Sequence, residues 1–118
     1  MTTAQPDGSA EPDGEARLAF YLTRLADDNP GNRWNAAISL GRLRDERGTG
    51  PLILALADED ARVRLKAIWA LGAIGDPRAT APLRSLYRTA DDETQDIIRE
   101  ALEAIQQNTS RQYMRKTG

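Results

Sequence analysis

Apolar residues recur through the middle of the chain at helical spacing. Val63, Ala67, Ala70, Leu71 and Ile74 fall at i, i+4, i+7, i+8 and i+11, which sets them on one stripe of a 3.6-residue period. Asp58 and Asp60 stand just ahead of the stripe, where a carboxylate accepts free backbone N–H groups and meets the positive end of the helix dipole. Gly75-Asp76-Pro77 ends it, since glycine tolerates a left-handed C-cap and proline cannot continue a helix. A shorter helix is predicted from about Ala79 to Arg88, with Pro82 in its first turn and Leu83, Leu86 and Tyr87 as its apolar side.

This unit is copied on both sides of itself. Leu40-Gly41 precedes Leu71-Gly72 by 31 positions, and Leu102 follows at the same interval. The stripe reappears as Ala36, Ser39, Leu40 and Leu43 in a helix from about Asn32 to Arg44, and as Ile98, Ala101, Leu102 and Ile105 in one from Glu93 to Gln106. First helices are predicted from about Glu15 to Ala26, with Leu18, Tyr21, Leu22 and Leu25 inward, and from Thr49 to Ala57; Phe20 stands where Pro51 and Pro82 stand later. Asp27/Asp58, Arg33/Arg64, Gly41/Gly72, Asp45/Asp76 and Pro51/Pro82 match at the same interval, so cap, spacer and breaker repeat together. The pattern predicts an all-α fold, an α-α superhelix of three helical hairpins with a 31-residue period. Its domain covers 15–106, with repeats at about 15–44, 46–75 and 77–106. Residues 1–14, rich in Pro, Gly and Asp, read as a disordered tail, and 107–118, with Arg111, Arg115 and Lys116, as a polar basic C-terminal tail.

These residues resemble HEAT-like repeats of the phycobilisome-lyase type. Gly75-Asp76-Pro77-Arg78-Ala79-Thr80-Ala81-Pro82-Leu83 matches the start of that unit, and Val63-Arg64, Ala67, Ala70-Leu71-Gly72 and Ile74 match its second helix. Asn32 and Thr94 replace the Val, Gln95 the Arg and Glu103 the Gly in the outer repeats, which makes those repeats look like polar caps and three repeats look like the whole protein. The resemblance implies a protein-binding scaffold whose second helices line a concave surface, and it places Arg33 and Arg64 as ladder residues that bond turn aspartates between repeats. It also brings up enzymes. Deoxyhypusine hydroxylases, similar in fold, hold iron through His-Glu motifs that this chain lacks; a phycobilin-lyase-like subunit is the nearer alternative.

Composition narrows the chemistry. The 118 residues are 40% hydrophobic and 29% charged with a net charge of −2, enough for one helical core and without a general pull toward nucleic acid or anionic membranes. The chain has neither His nor Cys, which removes the usual general base, the common transition-metal ligands, thiolate chemistry and disulfides. Asp58-Glu59-Asp60 and Asp91-Asp92-Glu93 sit at helix starts, where capping accounts for them. No catalytic residue, metal or cofactor is expected. The start has no apolar signal-like region and no run of about 18 apolar residues is present, so neither a signal peptide nor a membrane span is expected, and the default location is the cytoplasm.

The faces of the second helices carry the candidate site. Trp69 points roughly 140° away from the centre of its stripe at ~100° per residue, and Trp34 and Ile38 occupy equivalent or neighbouring places one repeat earlier. The expected partner-binding set is Trp34, Asn35, Ile38, Arg42, Leu65, Lys66, Trp69, Asp96, Ile97 and Glu100, with Ala73 and Ala104 beside them. Aromatic and arginine anchors in a shallow groove are what protein-binding surfaces use for affinity. The alternative is that both tryptophans fill seams between repeats. Arg42, Arg62 and Lys66 lie toward the first two repeats and Asp92, Glu93, Asp96 and Glu100 toward the last, so a ligand with an acidic and a basic end would be oriented. HEAT-like DNA glycosylases also combine Trp with basic residues, but the acidic third repeat argues against nucleic acid, which needs convergent cations. Ile53-Leu54, in place of Arg84-Ser85, leaves apolar surface on a first helix where a weak homodimer contact could form.

Overall fold

The computed structural model describes residues 14–117, and these are helices and turns throughout. Six α-helices follow one another: α1 (Gly14–Arg24), α2 (Pro30–Leu43), α3 (Thr49–Ala55), α4 (Ala61–Ile74), α5 (Thr80–Tyr87) and α6 (Asp92–Thr117). They form three hairpins, α1–α2, α3–α4 and α5–α6, and 3-10 turns at Glu46–Gly48 and Pro77–Ala79 lead into α3 and α5. The tail expected over residues 1–14 lies, Gly14 apart, outside the described residues. The helix expected to end near Gln106 runs on to Thr117, because no Gly or Pro interrupts it before Gly118. Asn108 ties this extension to the previous hairpin by donating from Nδ2 to the Gly75 carbonyl at 3.1 Å.

The helix ends are set by the residues that the repeat carries along. The Asp60 carboxylate accepts from the Arg62 N–H at 2.8 Å to start α4, Asn29 accepts from Gly31 N–H at 2.7 Å to start α2, and Asp91 accepts from Thr94 N–H at 2.8 Å to start α6. Asp58 does not cap α4 itself; it accepts from Asp60 N–H at 2.9 Å and orders the turn ahead. Gly75 closes α4 at φ 77, with its N–H bonded to the Leu71 carbonyl. Arg44 closes α2 in the same left-handed conformation at φ 55.

Packing follows the stripes. Val63, Ala67, Ala70, Leu71 and Ile74 are all buried, as are Leu40, Ile98, Ala101 and Ile105, while Ser39, Leu43 and Leu102 are only half-buried. Ile68 and Ala37, outside the predicted stripes, are fully buried as well. The reason is position: α2, α4 and α6 lie side by side with α4 in the middle, so α4 buries two flanks besides the face it turns to the first helices. Glycine allows this close approach. A Cβ on Gly72 would stand 2.9 Å from the Ala101 Cα, and one on Gly41 would stand 2.9 Å from the Ala70 Cα. Glu103 occupies the corresponding place on α6, which denies the same contact to any helix beyond.

Arginines join the hairpins at their turns. Arg33 of α2 donates from Nη1 to the Asp27 and Asp28 carbonyls and grips Asp58 of the next hairpin with Nε at 2.8 Å and Nη2 at 3.0 Å. Arg47 bonds Asp45 and reaches back to Glu15 at 2.8 Å, and Arg78 bonds Asp76 and reaches back to the Glu46 carbonyl at 3.2 Å. The expected inter-repeat ladder is therefore present at Arg33. At Arg64 it is reduced, among the described residues, to one side-chain bond, from Nη1 to the Asp58 carbonyl at 2.7 Å.

Candidate functional site

The layer made by α2, α4 and α6 is hollowed on its outer side. A cavity of about 420 Å³ is lined by Trp34 of α2, by Arg62, Leu65, Lys66 and Trp69 of α4, and by Ile97 and Glu100 of α6. A second hollow of about 180 Å³ continues it, sharing Trp69, Ile97 and Glu100 and adding Ala73 and Ala104. Small residues at 73 and 104 keep that lobe open where longer side chains would fill it. Together they make one groove across two seams of the layer.

Trp69 stands between the lobes and is anchored from below. Its Cζ3 would lie 2.5 Å from a Cβ on Gly41, so the ring rests on the bare backbone of α2. It remains 44% exposed, which makes it both seam filler and groove wall. Trp34 and Leu65 are half-buried against the core, and the Lys66 ammonium lies 6.0 Å from the Trp34 ring centroid, within cation–π range. Of the apolar strip expected across the second helices, Trp69 alone is exposed; Trp34, Ile38 and Leu65 are half-buried.

Charge is distributed unevenly over the groove. Arg62 is tied to Asp60 by Nη2 at 3.1 Å, and this guanidinium holds the Asp60 carboxyl down at about 2. Lys66 and Glu100 belong to none of the ion pairs among the described residues, so an unneutralised cation and anion face one aromatic and aliphatic floor.

Six of the ten expected site residues line this groove: Trp34, Leu65, Lys66, Trp69, Ile97 and Glu100. Asn35, Ile38, Arg42 and Asp96 do not. Asp96 bonds Arg99 at 2.7 Å, and Arg99 donates to the Tyr87 hydroxyl on α5 at 2.7 Å, which draws Asp96 toward the first-helix side. Arg62 enters the lining without having been in the expected set; its place beside Lys66 in the charge gradient was the available signal. On the first helices, Leu54 is 79% exposed but Ile53 packs against the core. The apolar surface expected from that pair is thus one side chain, beside a hollow of about 240 Å³ between α1 and α3.

Among the described residues no group of three or more acidic side chains is placed to hold a metal ion, and no helix is long and apolar enough to cross a membrane. No curated protein matches the chain. The sequence profile described as HEAT repeats matches residues 18–106, and proteins of this kind commonly mediate protein–protein interaction. That span holds the copied hairpins, the glycine contacts between second helices and the Arg33–Asp58 bridge, and the chain belongs to the HEAT repeat family.

Proposed function

We propose that residues 15–106, built of phycobilisome-lyase-type repeats, act as a non-catalytic protein-interaction module in the cytoplasm that takes a peptide segment of its partner into the groove on α2, α4 and α6. The observation that carries this reading is the pairing of a half-exposed Trp69, seated on Gly41, with Lys66 and Glu100, which no ion pair among the described residues neutralises, around one hollow. A partly buried aromatic ring gives a partner side chain a rigid surface at small entropic cost, and flanking charges of opposite sign fix its direction. The segment that fits has a large apolar residue with an acid on the Lys66 side and a base on the Glu100 side.

Selection of a random displayed peptide library on the folded chain tests this. The expected consensus is an apolar anchor between residues of opposite charge. On the double variant Lys66→Glu/Glu100→Lys the acid and the base should exchange places. Trp69→Ala, checked by its melting curve, should weaken the selected peptide by about tenfold or more. Wild-type affinity in a folded Trp69→Ala variant would remove the groove as the binding surface.

A further inference from the structure

The geometry points to a second binding site, a pocket for an aliphatic carboxylate at Arg64, where the ladder between hairpins loses its acid. Arg33 uses its whole guanidinium, with Nη1 on two turn carbonyls and the Nε/Nη2 edge on both oxygens of Asp58. Arg64, 31 positions later, repeats only the first half, with Nη1 on the Asp58 carbonyl. The residue standing where its acid would be is Thr89, whose hydroxyl lies 3.5 Å from the Leu86 carbonyl. No hydrogen bond or ion pair among the described residues ends on Arg64 Nε or Nη2.

A cavity of about 390 Å³ opens at this place between α4, α5 and α6. Half-buried Arg64 shares its wall with Leu65, Ile68, Leu86 and Ala90. A planar guanidinium edge is matched by a planar carboxylate, as Asp58 shows one hairpin earlier, and the apolar wall asks for an aliphatic group beside it. Asp91 and Glu93 also line the cavity. The Asp91 carboxylate is engaged by the Thr94 N–H, and the two acids oppose a dianion such as phosphate more strongly than a single carboxylate. The ligand class is therefore an aliphatic monocarboxylate, a group presented both by the free end of a peptide finishing in an aliphatic residue such as leucine and by a short free acid. This site shares only Leu65 with the groove and does not rest on the groove's function.

The test is an NMR titration of the intact chain with N-acetyl-glycyl-leucine, 4-methylpentanoate and the neutral 4-methylpentanamide, following the Arg64 Nε–H and the Ile68 and Leu86 methyl signals. Saturable shifts are expected from a carboxylate, with the amide weaker by about tenfold or more. Tighter binding of the peptide identifies a chain terminus as the source, and tighter binding of the free acid a small molecule. Thr89→Asp keeps Arg64 but supplies the missing acid, so it should abolish the titration and raise the Tm; Arg64→Gln should abolish it as well. Equal shifts from acid and amide, no shift from either acid, or a wild-type titration in folded Thr89→Asp would overturn the proposal.

Discussion

Two residues at the second helices depart from the pattern around them: Arg44, just past α2, in its backbone, and Trp69 of α4 in its exposure. Arg44 is the one non-glycine residue at positive φ among the described residues, in the place where the next repeat has Gly75. A left-handed residue with a Cβ costs about 1–2 kcal/mol, part of which glycine gives back through its looser unfolded state. Arg44→Gly should therefore stabilise the fold by about 0.5–1 kcal/mol, read as a Tm rise in thermal melts. Trp69 has the opposite character, an exposed ring with a buried edge. Leu71, at 0% exposure on the buried stripe of α4, should cost roughly 2–5 kcal/mol on change to Ala. Trp69→Ala should cost about 1–2 kcal/mol, since the residue is already 44% exposed. Paired melts with tryptophan quenching of the free protein separate the two roles; equal losses would make Trp69 core.

Between elements, glycine and the turn arginines set the spacing that opens the groove. Gly72 is held against the Ala101 backbone, whereas a Cβ on Gly50 of α3 would meet nothing within 4 Å. Gly72→Val should cost roughly 2–3 kcal/mol, because two helix backbones must part to admit it. Gly50→Ala should stabilise by about 0.5–1 kcal/mol through helix propensity and a smaller unfolded-state entropy. Denaturant melts of the two variants check the contrast in sign. Much of this was legible in the sequence, because caps, breakers and stripes are local signals and the repeat printed them more than once: Asp60, Gly75, Leu71 and Ile98 stand as expected. Burial of Ile68 was not, since it depends on α2 and α6 flanking α4, a relation that no single-helix pattern encodes. The diversion of Asp96 to Arg99 and Tyr87 is likewise a tertiary choice among partners. The end of α6 departs from the expectation for another reason: the residues after Gln106 are polar, which predicts a tail, yet nothing there breaks a helix.

Across the whole molecule, stability should respond to pH in one direction only. Hydrogen bonds hold carboxylates below their ordinary range in all three hairpins: Arg33 on Asp58, Arg47 on Asp45, Arg62 on Asp60, Arg78 on Asp76, the Asn29 backbone on Asp27, and Thr94 on Asp91. A carboxyl whose folded pKa is depressed contributes its stabilisation in full above the unfolded value of about 4, and loses it as pH falls through the folded value. The partners do not titrate in that range, because arginine stays charged. With no His and no Cys in the chain, no side chain with an ordinary pKa between about 5 and 8 adds a second slope. The Tm should accordingly stay level from about pH 5.5 to 8.5 and fall steadily below about pH 4, toward the value of about 2 held by Asp60. Asp58→Asn removes the carboxyl that two hairpins share, so it should lower the plateau and shallow the acid slope together. Thermal melts of both proteins at half-unit pH steps decide the matter: a wild-type Tm that climbs on acidification would contradict the depressed carboxyls, and an Asp58→Asn curve that coincides with wild type at every pH would show that the Arg33–Asp58 bridge contributes nothing to holding the hairpins together.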